Sequence, residues 1–258
     1  MTLACIQSIK ANTTFEHNII LVQSGTDVVP AEVAEDYVDT YVWVPDGVGA
    51  VTATNIGLAI ALQNDNDHVM ILDNDTTIPE GDKDWLERMV AELVTLPNTA
   101  AVGATSDAVN QPQQILSVPQ TYTADWKGEE EGQGGIKDNP PVVWFVSFCV
   151  LIRKEVIREL GFWDTQFDPG NWEDTDYALR CREAGYDVRV ARSVYIHHHC
   201  HQTFGKDLKQ LMTDNQVKFA EKHGMGKLWD YGLVADREIA IMSGRAAGML
   251  GEAKEKAQ

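Results

Sequence analysis

Short apolar runs alternate with helix-forming segments along most of this chain, and that alternation constrains the fold more than any other feature of the sequence. The apolar runs are rich in β-branched residues and end in polar turns, and they lie at 17–22, 41–44 and 68–72. Helical patterns separate them at 2–10, 52–63 and 85–96. Because parallel strands need crossovers that are usually helices, this order predicts an α/β fold with a mostly parallel sheet covered on both faces.

The second half of the chain continues the pattern after an interruption. From about 110 to 141 the sequence is polar and rich in Gln, Glu and Gly, which is typical either of a mobile lid or of a passive surface insertion. Strands are then predicted at 142–152 and 188–196, with helices at 153–160 and 172–184. Beyond Thr203 the sequence is helical, so we predict a sheet domain over 1–205 and a C-terminal helical extension over 206–258.

Charge and composition indicate which partners and which cellular location the protein is expected to have. A formal charge of −18 over 258 residues disfavours nucleic acids and anionic membranes. No window approaches the roughly 18 apolar residues that a membrane span needs, and the first residues lack the pattern of a secretory signal. Four dispersed cysteines without Cys-x-x-Cys spacing fit reduced thiols, so the expected location is the cytoplasm.

Asp73 and Asp75 stand directly after the predicted strand at 68–72. In parallel sheets ligands bind beyond the carboxyl ends of the strands, where the segment 23–25 also falls. Mg²⁺ and Mn²⁺ bind such sites through one or two carboxylates and keep positions for substrate phosphates. The pair therefore predicts a metal–diphosphate site, although the same pattern also occurs in helix caps and acidic turns.

Four of the seven histidines lie within five residues, at 197–199 and 201. Strand alternation puts His197 and His199 on one side and His198 on the other, so at most one or two reach a common metal. His198 shares its face with Val194 and Ile196, which points it toward the site if that face is buried. Either His197 or His198 is the expected ligand, unless the run is an adventitious metal binder.

Glu173 and Asp174 open a predicted helix, where the helix dipole and capping already favour carboxylates. A catalytic base must be ionised and near the incoming hydroxyl, and a helix start that faces a cleft meets both conditions. The preceding Trp172 is suited either to stacking on a sugar ring or to ordinary packing.

Taken in order, these motifs resemble the inverting family-2 glycosyltransferases of the GT-A fold. The resemblance covers roughly residues 2 to 205, and its specificity comes from order and spacing more than from any one motif. The matching segments are Ile19–Thr26, Asn55–Ala59, Ile71–Thr76, Val150–Lys154, Gly161–Asp164, Glu173–Asp176, Leu179–Arg180 and Ala184–Tyr186, followed by the histidines.

The resemblance implies a role for each matching residue. Asp75 would bind Mn²⁺ or Mg²⁺ directly, Asp73 would hold the metal or the ribose, and one of His197 and His198 would complete the coordination. Asp174 would be the catalytic base. The residues expected to bind substrate are Gln23, Gly25, Asn55, Asp73, Trp172 and Glu173.

The implied reaction is the inverting transfer of a sugar from a nucleoside-diphosphate sugar, with a UDP-sugar as the favoured donor. The acceptor would be a saccharide, a lipid-linked sugar, a protein or a modified nucleic-acid base. The strong negative charge makes the nucleic-acid acceptor the least favoured. The segment from 110 to 141 is expected to decide among these acceptors.

Three departures from the family pattern affect the nucleotide pocket. Relatives usually have a strand before the first helix, and the given sequence shows none there. Gln23 stands where relatives usually have an Asp that contacts the base, and Thr54 stands where an Arg is common. An amide offers both a donor and an acceptor, so base binding is retained but uracil preference is weakened.

Two other functions fit parts of the sequence. A catalytically silent nucleotide-sugar-binding domain would explain the absent first strand. A sugar-nucleotide pyrophosphorylase has a related sheet, but it would ordinarily show a Gly-rich, basic phosphate loop near its first strand, and the sequence has none.

Overall fold

The computed structural model describes residues 1–26, 28–109, 112–114, 140–199 and 208–224. The chain divides into two compact units, Met1–Gly205 and Lys206–Gln258. The second unit contains helix α7 (Leu208–His223), in which Phe219 is fully buried. No helix in these ranges combines the length and apolarity that crossing a bilayer requires.

The first unit alternates helices and strands from its beginning. Its first elements are α1 (Thr2–Asn12), β1 (Ile20–Ser24), α2 (Ala31–Ala34), β2 (Thr40–Val44), α3 (Ala50–Ala61), β3 (His68–Leu72), β4 (Thr76–Thr77), α4 (Trp85–Thr95) and β5 (Thr99–Thr105). Its later elements are β6 (Cys149–Arg153), α5 (Lys154–Leu160), a 3-10 turn (Thr165–Phe167), α6 (Glu173–Glu183), β7 (Asp187–Tyr195) and β8 (His197–His198).

The described strands form one central sheet and two smaller pairs. The central sheet has the order β3-β6-β5-β7, while β1 pairs with β2 and β4 pairs with β8. β6 runs antiparallel to both of its neighbours, and β5 runs parallel to β7, so three of the four central strands share one direction. The predicted α/β fold with a mostly parallel sheet is confirmed.

Alternate residues of β3 pack into two apolar clusters on opposite faces of the sheet. Val69 and Ile71 join the cluster that contains α3, and Met70 and Leu72 join the cluster that contains α4. Successive side chains of a strand point to opposite faces, so α3 and α4 cover the two faces of the sheet. The acidic segment therefore begins at the carboxyl end of β3, between the helices that cover the two faces of the sheet.

The predicted strand at 142–152 is shorter in the structure. Val142 makes only an isolated bridge with Val188, and the strand proper begins at Cys149. The reason is that intervening backbone N–H groups bond to side chains instead of a neighbouring strand: Val146 donates to Gln113 and Ser147 to Asp174. Most of the segment from 110 to 141 lies outside the described residues.

Cysteine side chains in the described part of the chain are free and buried, namely those of Cys5, Cys149 and Cys181. Burial raises the pKa of the Cys5 thiol above its usual range. These thiols are therefore kept protonated and act as small apolar side chains. Cys200 lies outside the described residues.

Candidate active site

The loop Asp73-Asn74-Asp75 is fixed at both ends by backbone contacts. The N–H of Asp73 donates to the carbonyl of Phe148 at 2.8 Å, at the start of β6. After Asp75 the chain enters β4, in which Thr76 pairs with His198 of β8. This pairing of two short strands brings a histidine from the later part of the chain beside the acidic loop.

Two carboxylates and one imidazole converge at this loop. His198 Nε2 lies 3.2 Å from Asp75 Oδ1 and 3.7 Å from Asp73 Oδ2. One potential ligand atom from each residue lies within 4.8 Å of the other two. The His198 ring also stacks on Phe148, which limits its rotation. Oxygen and imidazole donors at this spacing are a donor set that suits a divalent cation.

The two aspartates respond differently to their surroundings. Burial and the neighbouring Asp75 raise the pKa of Asp73 to about 7, against the opposing effect of His198. Because the Asp73 side chain is 48% exposed, repulsion by the Asp75 carboxylate explains the raised pKa better than burial does. Burial also opposes ionisation of Asp75, but the hydrogen bond and charge of His198 outweigh it and lower its pKa. Excess negative charge in the loop is thus only partly compensated.

Asp174 lies in the first turn of α6 and is held by backbone donors. Its Oδ2 accepts from Ser147 N at 3.2 Å, and its Oδ1 accepts from Thr175 N at 2.7 Å. Burial raises the pKa of Asp174 to about 6, and these hydrogen bonds moderate the rise. The charge of Asp174 also raises the pKa of Asp73, so the two carboxylates are close enough to interact electrostatically.

Glu173 adjoins Asp174 and is more strongly biased toward its protonated form. Its Oε2 atom is buried and has no hydrogen-bond partner in the part of the chain that the structure describes. Burial, followed by the charge of Asp174, raises the pKa of Glu173 well above its usual range. A protonated Glu173 would present a hydrogen-bond donor beside the carboxylate of Asp174.

The turn before α6 is fastened to the start of α3. Asp168 Oδ1 accepts from Val51 N at 3.0 Å, and its Oδ2 accepts from the Thr52 hydroxyl. Asn171 and Trp172 follow with φ of 71° and 77°, a left-handed conformation that non-glycine residues adopt rarely. This turn leaves Trp172 half-buried and sets the start of the helix that carries Asp174.

Gln23 makes its hydrogen bonds within the protein. Its amide nitrogen donates to Val29 O at 2.9 Å and to the Tyr41 hydroxyl at 3.1 Å, and its amide oxygen accepts from Val29 N at 2.8 Å. The side chain is buried. In this arrangement Gln23 stabilises the loop after β1, and its polar atoms are not presented to a ligand.

Asn55 and Gly25 also have local structural roles. Both amide atoms of Asn55 bond to the backbone of Trp163, which joins α3 to the segment before the 3-10 turn. Gly25 has φ +89° and accepts a hydrogen bond from the Trp43 indole, so the residue makes the turn that ends β1. The structure does not bring Gln23 or Asn55 into the cluster around Asp73. Substrate contact by Gln23, Gly25 and Asn55 stays a prediction.

His197 lies outside the cluster of Asp73, Asp75 and His198. Its Nδ1 is 2.8 Å from the hydroxyl of the buried Tyr195, which donates in turn to Asp107 at 2.7 Å. The cause is strand alternation, since neighbouring residues of β8 point to opposite sides. Of the two histidines considered from the sequence, the structure brings only His198 to the acidic loop.

Ser147 and Phe148 were missed by the sequence reasoning, although they contact three of the proposed site residues. Ser147 donates to Asp174, while Phe148 bonds to the Asp73 loop and stacks on His198. In the sequence both residues belong to an apolar run that reads as an uninterrupted strand. The polar Ser147 within that run is the one available signal, and it is a weak one.

Comparison with known sequences agrees with this geometry. The sequence profile described as Glycosyl transferase family group 2 matches residues 68–212, which is more than half of the chain. That range contains the Asp73 loop, Asp174 and His198. A search of curated proteins found no match.

Comparison with solved structures identifies the fold. The crystal structure of GalNAc-T7 with UDP, GalNAc and Mn²⁺ matches with a TM-score of 0.60 and 15% identity, over 84% of this chain and 45% of that one. The mannosyltransferase PcManGT from Pyrobaculum calidifontis, in complex with GDP-Man and Mn²⁺, matches with a TM-score of 0.53 and 15% identity, over 96% of this chain and 77% of that one. The chain thus spans less than half the length of GalNAc-T7, and identities this low show the fold alone.

Both neighbours are GT-A glycosyltransferases, so the GT-A fold expected from the sequence is confirmed. The profile match is independent of that structural likeness, because it depends on the sequence of residues 68–212. The chain belongs to glycosyl transferase family group 2.

Proposed function

We propose that this protein transfers a sugar, with inversion, from a nucleoside-diphosphate sugar to an acceptor hydroxyl, and that the transfer requires Mn²⁺ or Mg²⁺. The observation that carries the proposal is the convergence of Asp73, Asp75 and His198 within 4.8 Å, together with Asp174 close enough to perturb Asp73. Family membership and the fold support the same reaction class.

The three converging residues fit a divalent cation. Asp75 is ionised readily and His198 is held by Phe148, so both are prepared to act as ligands. Asp73 resists ionisation because of its neighbours, and a cation would relieve that repulsion. Asp73 would then hold the metal or the donor's ribose. When bound, the cation would neutralise charge on the departing nucleoside diphosphate.

Asp174 is the proposed catalytic base. With a pKa raised to about 6, it is mostly ionised at neutral pH yet basic enough to accept a proton as the acceptor oxygen attacks. The acceptor oxygen forms a bond to the anomeric carbon, the bond from that carbon to the diphosphate oxygen breaks, and its electrons leave with the diphosphate. Attack from the face opposite the leaving group inverts the anomeric centre.

Glu173 and Trp172 are proposed to position the sugar or the acceptor. A protonated Glu173 would donate a hydrogen bond to a substrate hydroxyl, and the half-buried Trp172 would offer a ring face for stacking. UDP-sugars are the first donors to test. GDP-sugars should be tested next. The amide of Gln23 is hydrogen-bonded to Val29 and Tyr41, so it gives no support to selection of uracil.

The test measures release of nucleoside diphosphate from UDP- and GDP-sugars, with and without Mn²⁺, in the parent and in Asp174→Asn. We expect metal-dependent release that falls by at least ~10² in Asp174→Asn, while donor and metal binding are kept. Glu183→Gln, at the exposed far end of α6, is the matched control and should keep full activity. Turnover equal to the parent in Asp174→Asn would remove Asp174 from the mechanism.

The same assay separates transfer from silent binding. A silent domain would bind the donor with Mn²⁺, as measured by calorimetry, but would release no nucleoside diphosphate with any acceptor class tried, including saccharides and lipid-linked sugars. Release that is equal with and without metal would contradict the proposed role of the Asp73, Asp75 and His198 cluster.

A further inference from the structure

Gln113 is a fully buried glutamine that the reaction proposed above does not use. It lies shortly after the end of β5, and its backbone carbonyl accepts from Ser106 N at 3.0 Å. Burying an amide is costly unless its donor and acceptor groups are hydrogen-bonded. The partners of the Gln113 side chain therefore show which part of the fold it stabilises.

The amide of Gln113 joins β5 to the segment before β6. Its nitrogen donates to Ala104 O at 2.8 Å and to Val146 O at 3.2 Å, and its oxygen accepts from Val146 N. The pairing of β5 with β6 reaches Gly103 and Val150. Beyond that pair, the side chain of Gln113 supplies hydrogen bonds of the kind that a neighbouring strand would make.

Gly103 leaves the space that the Gln113 amide occupies. A Cβ added at Gly103 would lie 2.5 Å from the amide nitrogen and 2.8 Å from the amide carbon. Separations this short are repulsive, so a larger residue at this position would displace the amide. Gly103 does not have a positive φ, so the space and not the backbone conformation requires glycine here.

The same residue, Val146, leads directly into the contact that holds Asp174. The N–H of Ser147 donates to Asp174 Oδ2 at 3.2 Å. This N–H belongs to the same peptide group as the carbonyl of Val146, which accepts from Gln113. Because a trans peptide group is planar, its C=O and N–H point in opposite directions, and fixing the carbonyl orients the N–H.

The Gln113 amide and helix α6 lie on one face of the sheet. Alternate residues of a strand share a face, so Gly103 faces the same way as Ala101. Ala101 packs in the apolar cluster that contains Tyr177 and Ala178 of α6. The amide is therefore placed between β5 and the region of the helix that carries the proposed base.

We infer that Gln113 is a positioning residue for the proposed catalytic base, because its amide orients the peptide group between Val146 and Ser147, whose N–H holds Asp174. The inference rests on the proposed function, in which Asp174 is that base. The Ser147 hydrogen bond favours the ionised carboxylate, so its loss would raise the pKa of Asp174. The base would then be less ionised and less well aimed at the acceptor hydroxyl.

The charged neighbours of Asp174 stay in place when Gln113 is changed. Glu173 lies on the same helix and Asp73 in the loop after β3, and the charge of Asp174 raises the pKa of both. Asp168, in the turn before α6, also raises the pKa of Glu173. A substitution of Gln113 therefore acts on Asp174 through a hydrogen bond and not through the removal of a charge.

The test is a carbon-13 NMR titration of the Asp174 carboxyl group in the full chain, with Asp174→Asn to assign the signal. Gln113→Met keeps the length of the side chain and removes its amide, and we expect the pKa of Asp174 to rise above the parent's value of about 6. Gln23→Met is the matched control. It also removes a buried amide that bonds to the backbone, but it should leave the pKa of Asp174 unchanged.

Gly103→Ala tests the same contact without changing Gln113, and it serves if Gln113→Met does not fold. Its methyl group should displace the amide and raise the pKa of Asp174 as well. Added to Gln113→Ala, it should have little further effect, because the atoms that the methyl group would meet are then absent. An unchanged pKa of Asp174 in Gln113→Met and Gly103→Ala would overturn the inference.

Activity measurements keep this inference separate from the proposed function. A base with a higher pKa is less ionised at low pH, so kcat/KM of Gln113→Met should fall at least ~2-fold more at pH 6 than at pH 8. A loss of packing alone would lower kcat/KM equally at both pH values. A raised pKa of Asp174 without the larger fall at pH 6 would support the contact through Ser147 and would remove Asp174 from the mechanism.

Discussion

The imidazole of His198 stacks on the ring of Phe148, with centroids 5.0 Å apart and planes inclined by 18°. Phe148 is fully buried, and its carbonyl also accepts the hydrogen bond from Asp73 N. One residue thus orients two members of the proposed metal cluster, the imidazole through its ring and the acidic loop through its backbone. Such supporting contacts commonly set the affinity of a metal site, because they fix the ligands before the ion arrives.

Phe148→Leu should therefore weaken Mn²⁺ binding by about 10-fold or more, a typical effect of removing a group that supports a metal ligand. The loss of buried volume should also cost stability on the order of 1–3 kcal/mol. Phe145→Leu is the matched control, since Phe145 is equally buried but belongs to the cluster on the α3 face. Calorimetric titration with Mn²⁺ measures the affinity, and equal losses in the two variants would mean that the stacking has no role.

The two neighbouring histidines of β8 provide a sharper comparison. His198→Ala should abolish or greatly weaken Mn²⁺ binding, because it removes the imidazole that lies together with the carboxylates of Asp73 and Asp75. His197→Ala should leave the affinity unchanged, since His197 bonds to Tyr195 on the other side of the strand. A loss of affinity in His197→Ala as large as in His198→Ala would point to adventitious binding by the histidine run.

Strand β3 was predicted with the bounds that the structure shows, and β5 was not predicted at all. β3 is an unbroken run of Val, Met, Ile and Leu after a polar segment, and such runs favour strands in their own right. β5 consists mainly of Ala, Gly and Thr, whose strand preference is weak. Its strand state comes from burial at all seven positions between β6 and β7, which is a tertiary effect that a local pattern does not contain.

In the candidate site too, some features were predictable from local sequence and others depend on tertiary packing. Strand alternation separates His197 from His198, and the position of Asp73 and Asp75 after β3 follows from the sequence, because both depend on local periodicity. The position of Gln23 at the end of β1 was equally clear, but its partners Val29 and Tyr41 are set by how a loop and a second strand pack. Sequence therefore located the polar groups, and packing decided which of them remain free to bind a ligand.

Asp174 should make stability depend on pH in a defined direction. Its folded-state pKa of about 6 lies above the ordinary value of 3.8, so between these pH values the folded chain binds more protons than the unfolded chain. The contribution of Asp174 to the free energy of unfolding therefore decreases as pH rises from about 4 to 6, and the penalty persists above that range.

Asp174→Asn removes this titration. The Tm of the variant minus the Tm of the parent should therefore increase from pH 4 to pH 7. The measurement is thermal unfolding with EDTA present, which keeps divalent cations from altering the charge balance. Glu183→Gln, exposed on the same helix, is the control for a carboxylate-to-amide change on α6. A Tm difference that is constant over this range would show that the pKa of Asp174 is not raised.

Gln23→Ala tests whether this residue stabilises the fold or contacts the nucleotide base. The substitution removes three hydrogen bonds and leaves the N–H of the half-buried Val29 without its acceptor, so we expect a loss of about 1–3 kcal/mol in the free energy of unfolding. The ratio of affinities for UDP and GDP should stay the same, because the amide already has protein partners. Gln63→Ala, an exposed glutamine on the surface, should change stability by less than about 0.5 kcal/mol. A changed UDP-to-GDP ratio with unchanged stability would instead place Gln23 against the base, and the loop after β1 would have to rearrange when the donor binds.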